Sequence, residues 1–300
     1  MPIASINGVD LYYEVEGDGD WVAFAHGGEG LHLCWWKQIT AFRQRFRCLT
    51  YDARGFGLSG GGWGGLPEDS AASDLLGLLD HLGIERAFLV GHSMGGMAVS
   101  GVAQRAPERV RALVMGDTPF GFLTAALSKW AIEMLRKIPL GFNVFEHLFA
   151  PGFAEAEPEL HCLYTGLCRL NSVRPLPKDT GDYLDAYVRM RDSPPVDYSR
   201  FAVPSLFIVG DKDELTLPWL MEETAKRSAA RAFWSFLVPV TPLSWSGVKF
   251  TTRPSSTFSR RSAAAGFERL SSSFPSRTDR HDGDSKSSSH VPPGRGARKL

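Results

Sequence analysis

The chain reads as an α/β protein, a mostly parallel β-sheet covered by helices on both faces, followed by a tail of different character. Three observations predict this. Short apolar runs at Val22–Ala25, Cys48–Tyr51, Ala87–Val90, Ala112–Met115 and Ser205–Val209 are separated by helix-length amphipathic stretches. A serine framed by glycines stands between one of these runs and the stretch that follows it. Charge then divides the chain. Positions up to 240 carry 29 acidic and 22 basic side chains and 241–300 carry 4 and 11, so a formal net charge of zero joins −7 to +7.

Taken in order, Ser5-Ile6 and Leu11-Tyr12-Tyr13 flank the turn pair Asn7-Gly8 and predict a β-hairpin. The five apolar runs fit strands buried on both faces. Helices are predicted over Trp35–Phe46, Pro67–Leu82, Met94–Arg105 and Pro218–Arg227. Alternation of the two element types with crossover-length connections implies parallel pairing. Residues 118–197 are rich in Leu, Phe and Trp at helical spacing and hold no good strand, which predicts a helical lid inserted over one end of the sheet. The core is therefore expected at 1–117 and 198–230, the lid at 118–197, and a disordered Ser/Arg/Pro-rich tail at 231–300.

No run of about 18 apolar residues is present and the start lacks a signal-peptide layout, so neither membrane spanning nor secretion is expected, and the expected location is the cytoplasm. Cys34, Cys48, Cys162 and Cys168 show no metal-ligand or CxxC spacing and read as ordinary buried thiols. No metal and no cofactor is expected.

The strongest chemical signal is Gly91-His92-Ser93-Met94-Gly95-Gly96 between the strand Ala87–Val90 and a helix. A strand that turns sharply into a helix holds the serine in a strained conformation and presents its hydroxyl at the helix N-terminus, where N–H groups favour a developing oxyanion. His26-Gly27-Gly28 ends the strand Trp21–Ala25, and its glycines let the backbone approach a substrate closely. The oxyanion hole is expected from the N–H groups of Gly28 and Met94, with His26 a hydrogen-bonded support and not the base.

These motifs, with Asp52-Ala53-Arg54-Gly55-Phe56-Gly57-Leu58-Ser59 and with Gly210-Asp211-Lys212-Asp213 followed by Pro218, resemble the α/β-hydrolase superfamily in order and spacing over about residues 3–228. The resemblance implies Ser93 as nucleophile and Asp213 as the triad acid, with Asp211 or Asp117 as fallbacks. Asp52 and Arg54 are expected to tie loops together. A serine at the elbow excludes the haloalkane dehalogenase and epoxide hydrolase chemistries, which need a carboxylate nucleophile, and leaves acyl transfer to serine.

In that fold the order of the triad is serine, acid, histidine, but no histidine lies between His161 and His281. His281 and His290 sit in low-complexity sequence. The last strand, the Gly-His turn and the closing helix are therefore expected to be lost. Reading from the third base of each codon over Phe233–Pro242 permits Leu-Val, an apolar residue and then Pro-Gly-Ala-Gly-His-Ser, and over Val248–Phe258 an amphipathic helix. A frameshift between about Lys226 and Phe233 is inferred.

The expected function is cleavage of a carboxylic ester or similar small acyl substrate through an acyl-enzyme at Ser93, impaired by the missing histidine. A lactone, or a C–C bond beside a carbonyl, is possible with the same elbow. The opposing reading is an inactive hydrolase-fold protein or a binder of a small apolar ligand. Nucleic acid is not an expected partner, because out-of-frame translation explains the basic tail without one.

Overall fold

The computed structural model describes residues 2–28, 30–61, 68–118, 148–149, 151–171, 203–211, 213, 216–227 and 231–236. It contains the strands β1 (Ile3–Ile6), β2 (Val9–Glu16), β3 (Asp20–Ala25), β4 (Phe46–Tyr51), β5 (Ala87–His92), β6 (Val110–Gly116), β7 (Ser205–Gly210) and β8 (Arg231–Phe236). The helices are α1 (Trp36–Phe42), α2 (Glu68–His81), α3 (Gly95–Arg105), α4 (Phe153–Ala156), α5 (Pro158–Asn171) and α6 (Pro218–Arg227). None of them is long and apolar enough to cross a membrane.

The strands form one eight-stranded sheet in the order β1-β2-β4-β3-β5-β6-β7-β8. The hairpin β1–β2 and the pair β2–β4 are antiparallel, and every pair from β4–β3 to β7–β8 is parallel. At the hairpin turn Asn7 and Gly8 both take positive φ, 48° and 78°, as the two central residues of a type I′ turn require.

Strand periodicity explains why these runs are apolar throughout. Ala23 and Ala25 of β3 and Ala87 and Leu89 of β5 face a core with Leu75, Leu78 and Leu79 of α2, Val99 and Val102 of α3, and Met221 of α6. The alternate residues Val22, Phe24, Phe88 and Val90 face a second core with Trp35 and with Phe42 of α1. Both faces of the sheet are therefore covered, and a strand between them has no polar side to show. The first helix is shorter than the expected Trp35–Phe46: a 3₁₀ turn at His32–Trp35 precedes α1, and Phe46 already opens β4.

Two expectations are corrected. The last strand is not lost, because Arg231–Phe236 pairs in parallel with β7 as β8. The run Phe233-Trp234-Ser235-Phe236 has high strand propensity and the β7 edge offers it a ladder, so the core extends into the segment assigned to the tail. The closing helix, and His281 and His290, lie outside the described residues. The second correction is Cys162, which is exposed, whereas Cys34, Cys48 and Cys168 are buried.

Of the expected lid, 151–171 is helical as α4 and α5, and the rest of 118–197, apart from 118 and 148–149, lies outside the described residues. Helix α5 packs on the core segment after β3 through a buried cluster of Cys34, Tyr164 and Cys168. Within this cluster a hydrogen bond from Cys168 is the main cause that lowers the Cys34 thiol.

Candidate active site

Strands β3, β5, β6 and β7 are neighbours and parallel, so the residues that follow them emerge at one end of the sheet. His26-Gly27-Gly28 follows β3, Ser93 follows β5, Asp117 follows β6, and Asp211 and Asp213 follow β7. Chain order scatters these groups and the crossovers collect them.

Ser93 has φ 48°, a left-handed conformation that costs a non-glycine residue on the order of 1–3 kcal/mol. Three contacts hold it there. Its N–H donates to Gly116 O at the end of β6 at 2.9 Å, and its carbonyl accepts from Gly96 N at 2.8 Å as α3 begins. The start of α3 also lies hard against the end of β3: a Cβ at Gly95 would collide with Ala25 O and come within 2.7 Å of His26 O. Gly95→Ala is accordingly expected to lower stability by about 3 kcal/mol or more in urea unfolding, since backbone on both sides cannot yield.

The loop after β3 is the neighbour of the serine. A Cβ at Gly27 would stand 2.7 Å from His92 Nδ1 and 3.2 Å from Ser93 Cβ, while among the described residues nothing lies within 4 Å of one at Gly28. Met94 precedes the first residue of α3, where the N–H groups find no partner inside the helix.

Asp213 and Asp117 are both buried and are linked through Thr216. Thr216 N–H donates to Asp213 Oδ1 at 2.7 Å, and Thr216 Oγ1 donates to Asp117 O at 2.9 Å. Asp117 has φ 47° and its Oδ1 accepts from Gly210 N at 3.2 Å, which joins the ends of β6 and β7. Its Oδ2 lies 3.7 Å from His92 Nε2. Asp211 is half-buried and stands apart from this network among the described residues.

The histidines near the elbow are held by the protein. His26 is buried, its Nε2 accepts from Ala53 N at 2.9 Å and its Nδ1 lies 2.7 Å from Gly27 O, so the ring is a support for the loop, as expected. Burial lowers its imidazole below the usual range. Burial, and then the neighbouring His26, lower His92 to about 3.

Unfolded, a histidine titrates near 6.5. Between pH 6.5 and about 3 the unfolded chain therefore binds a proton at position 92 that the folded chain refuses, and stability falls as pH falls through that window. The free energy of unfolding measured in urea is expected to fall below pH 6.5 by on the order of 1 kcal/mol per pH unit, and to fall less steeply in His92→Asn.

The second motif is structural. Asp52 is fully buried and accepts from His32 N at 2.7 Å and Leu58 N at 2.8 Å, and its Oδ1 lies 2.8 Å from His32 Nδ1. Burial raises its pKa, but the bond with His32 and the backbone N–H groups outweigh this and hold it below the usual carboxylate range. Arg54 clamps Asp74 of α2 through Nε and Nη2 at 2.9 and 2.8 Å. Both residues tie loops together, as expected.

The family profile described as alpha/beta hydrolase fold matches residues 20–143. Over most of its length the chain also superposes on solved structures, among them an enol-lactonase from Burkholderia xenovorans LB400, with a TM-score of 0.62 at 22% identity, covering 91% of this chain and 99% of that one. The chain has the α/β-hydrolase fold. Among curated relatives, the chain is 31% identical over 157 residues to 3-oxoadipate enol-lactonase 2 of Acinetobacter baylyi, covering 51% of this chain and 59% of that protein. It is 33% identical over 159 residues to bifunctional epoxide hydrolase 2 of Mus musculus, covering 51% of this chain and 27% of that one. The match thus spans less than two thirds of either relative.

Among the described residues no group of three or more His, Cys, Asp or Glu side chains is placed to hold a metal ion. The sequence holds no histidine from 162 to 280, so no imidazole follows β8 along the chain before His281. Thr216, the strained Asp117 and Asn171 of α5 carry bonds at this end of the sheet that no motif signals.

Proposed function

We propose that the chain is a serine hydrolase acting on a carboxylic ester, a lactone or a similar small acyl substrate through an acyl-enzyme at Ser93. The observation that carries the reading is the left-handed Ser93 at the β5–α3 junction with the glycine loop of β3 against it. Ser93 Oγ attacks the carbonyl carbon, and the oxygen that gains charge is received by the N–H groups of Gly28 and Met94. Asp213 is the acid that orients an imidazole when one is present. The curated relative named an enol-lactonase supports a lactone as substrate. The epoxide hydrolase relative does not redirect the chemistry, because this elbow carries a serine and not a carboxylate. With no histidine between 161 and 281 the Ser93 proton passes to water, and turnover is slow.

That same absence favours a second reading, a hydrolase-fold binder of a small apolar ligand without turnover. Incubation with a short p-nitrophenyl ester and a serine-directed fluorophosphonate discriminates the two. Covalent labelling that disappears in Ser93→Ala supports the hydrolase. Labelling that persists in Ser93→Ala removes Ser93 from the role. Folded protein with neither labelling nor turnover selects the binder.

A further inference from the structure

Asn171 is the last residue of α5, in the cap, and its side-chain amide is buried. Both ends of that amide are spent on backbone of the core. Nδ2 donates to Gly30 O at 2.5 Å, and Oδ1 accepts from Gly57 N at 2.7 Å. The two partners belong to the loop after β3 and to the loop after β4, which lie 141 and 114 residues away in sequence.

Asp52 joins the same two loops at another point, through His32 N on one side and Leu58 N on the other. The result is a closed ring: loop 26–32, Asp52, loop 54–59, Asn171 and back to Gly30. The ring constrains a segment that has little stiffness of its own, since Gly27, Gly28 and Gly30 fall within four residues. Inside the loop Gly30 N donates to Gly27 O at 3.1 Å, so a restraint on Gly30 is passed to the turn that contains Gly28.

We propose that Asn171 is a positioning residue for the oxyanion loop, so that the cap helix, and not the sheet alone, sets where the Gly28 N–H points. The proposal rests on the reading that Gly28 N–H receives the oxyanion. A donor that is displaced, not deleted, forfeits part of the roughly hundredfold or greater effect of losing an oxyanion-hole donor. The arrangement also couples the cap to chemistry: a cap displaced from the core releases Gly30 and loosens the hole.

The test uses the full chain and two readouts. In Asn171→Ala the maximal rate of fluorophosphonate labelling at Ser93, measured well below the thermal midpoint of the variant, is expected to fall about tenfold with the half-saturating concentration unchanged. Backbone amide exchange over 26–34 is expected to rise in the same variant. Asn171→Asp keeps an acceptor for Gly57 N and loses the donor to Gly30 O, so it is expected to match Asn171→Ala in labelling and in exchange over 26–34 while 54–59 stays protected. Unchanged exchange over 26–34 in both variants, or unchanged labelling in both, overturns the proposal. Ser93→Ala run in parallel separates the two ideas: labelling that persists there defeats the hydrolase reading, and the exchange measurement decides the role of Asn171 whether or not the chain labels.

Discussion

A chain in which the codons after about Lys226 are read in the shifted frame is expected to hydrolyse a p-nitrophenyl ester with kcat/KM at least about 10³-fold above the chain as written, because removal of any one triad member costs several orders of magnitude. The shifted codons permit an apolar strand across Phe233–Phe236 and a Gly-Ala-Gly-His turn that places the histidine at the Val240/Thr241 junction, four residues beyond the end of β8 at Phe236. Strand β8 runs parallel to β7, so a turn after it opens at the end of the sheet that holds Ser93, Asp117 and Asp213. Such a histidine needs no rearrangement of the elbow, whose geometry is set by β3, β5, β6 and α3. Sequencing of the gene across codons 220–260 comes first, and shifted codons that spell no Gly-x-Gly-His turn would end the argument. A restored chain that folds and shows no gain removes the missing base as the cause of slow turnover.

The parts of this architecture that were legible in the sequence are those fixed by short-range physics. Val22–Ala25 and Ala87–Val90 read as doubly buried strands because each alternate residue meets a different core, and α6 was bounded at Pro218 and Arg227 by a proline at its first position and a polar run at its end. Ser93 was legible because its strain demands glycine neighbours. What was illegible depends on partners far along the chain. The run from Trp35 to Phe46 carries no breaker, yet Arg45 and Phe46 are drawn out of the helix because β4 pairs Phe46 with Asp20 of β3. Arg231–Phe236 was hidden by the unusual composition around it, and the edge of β7 turns its strand propensity into a strand. Asn171 and Thr216 act on backbone atoms, which have no sequence signature at all.

The size of the Ser93→Ala effect is expected to depend on that histidine. Nucleophile, base and acid work as one device, so that losing serine or histidine alone costs about as much as losing all three, roughly 10⁶ in kcat where this has been dissected. In the restored chain Ser93→Ala is therefore expected to lower kcat for the ester by about 10⁴ to 10⁶. In the chain as written the same substitution is expected to lower it by no more than about tenfold, because Ser93, giving its proton to water, is a weak nucleophile and its acyl-enzyme route runs little faster than the direct attack of water on an ester polarised by the Gly28 and Met94 N–H groups. The four rates form a double-mutant cycle whose coupling measures how far Ser93 and the restored base act together. If Ser93→Ala costs the same factor in both backgrounds, serine and histidine are not one device and the acyl-enzyme assignment falls, even if each background hydrolyses the ester. If the coupling is large, Ser93 on the elbow formed by β5 and α3 works with the restored base as one device.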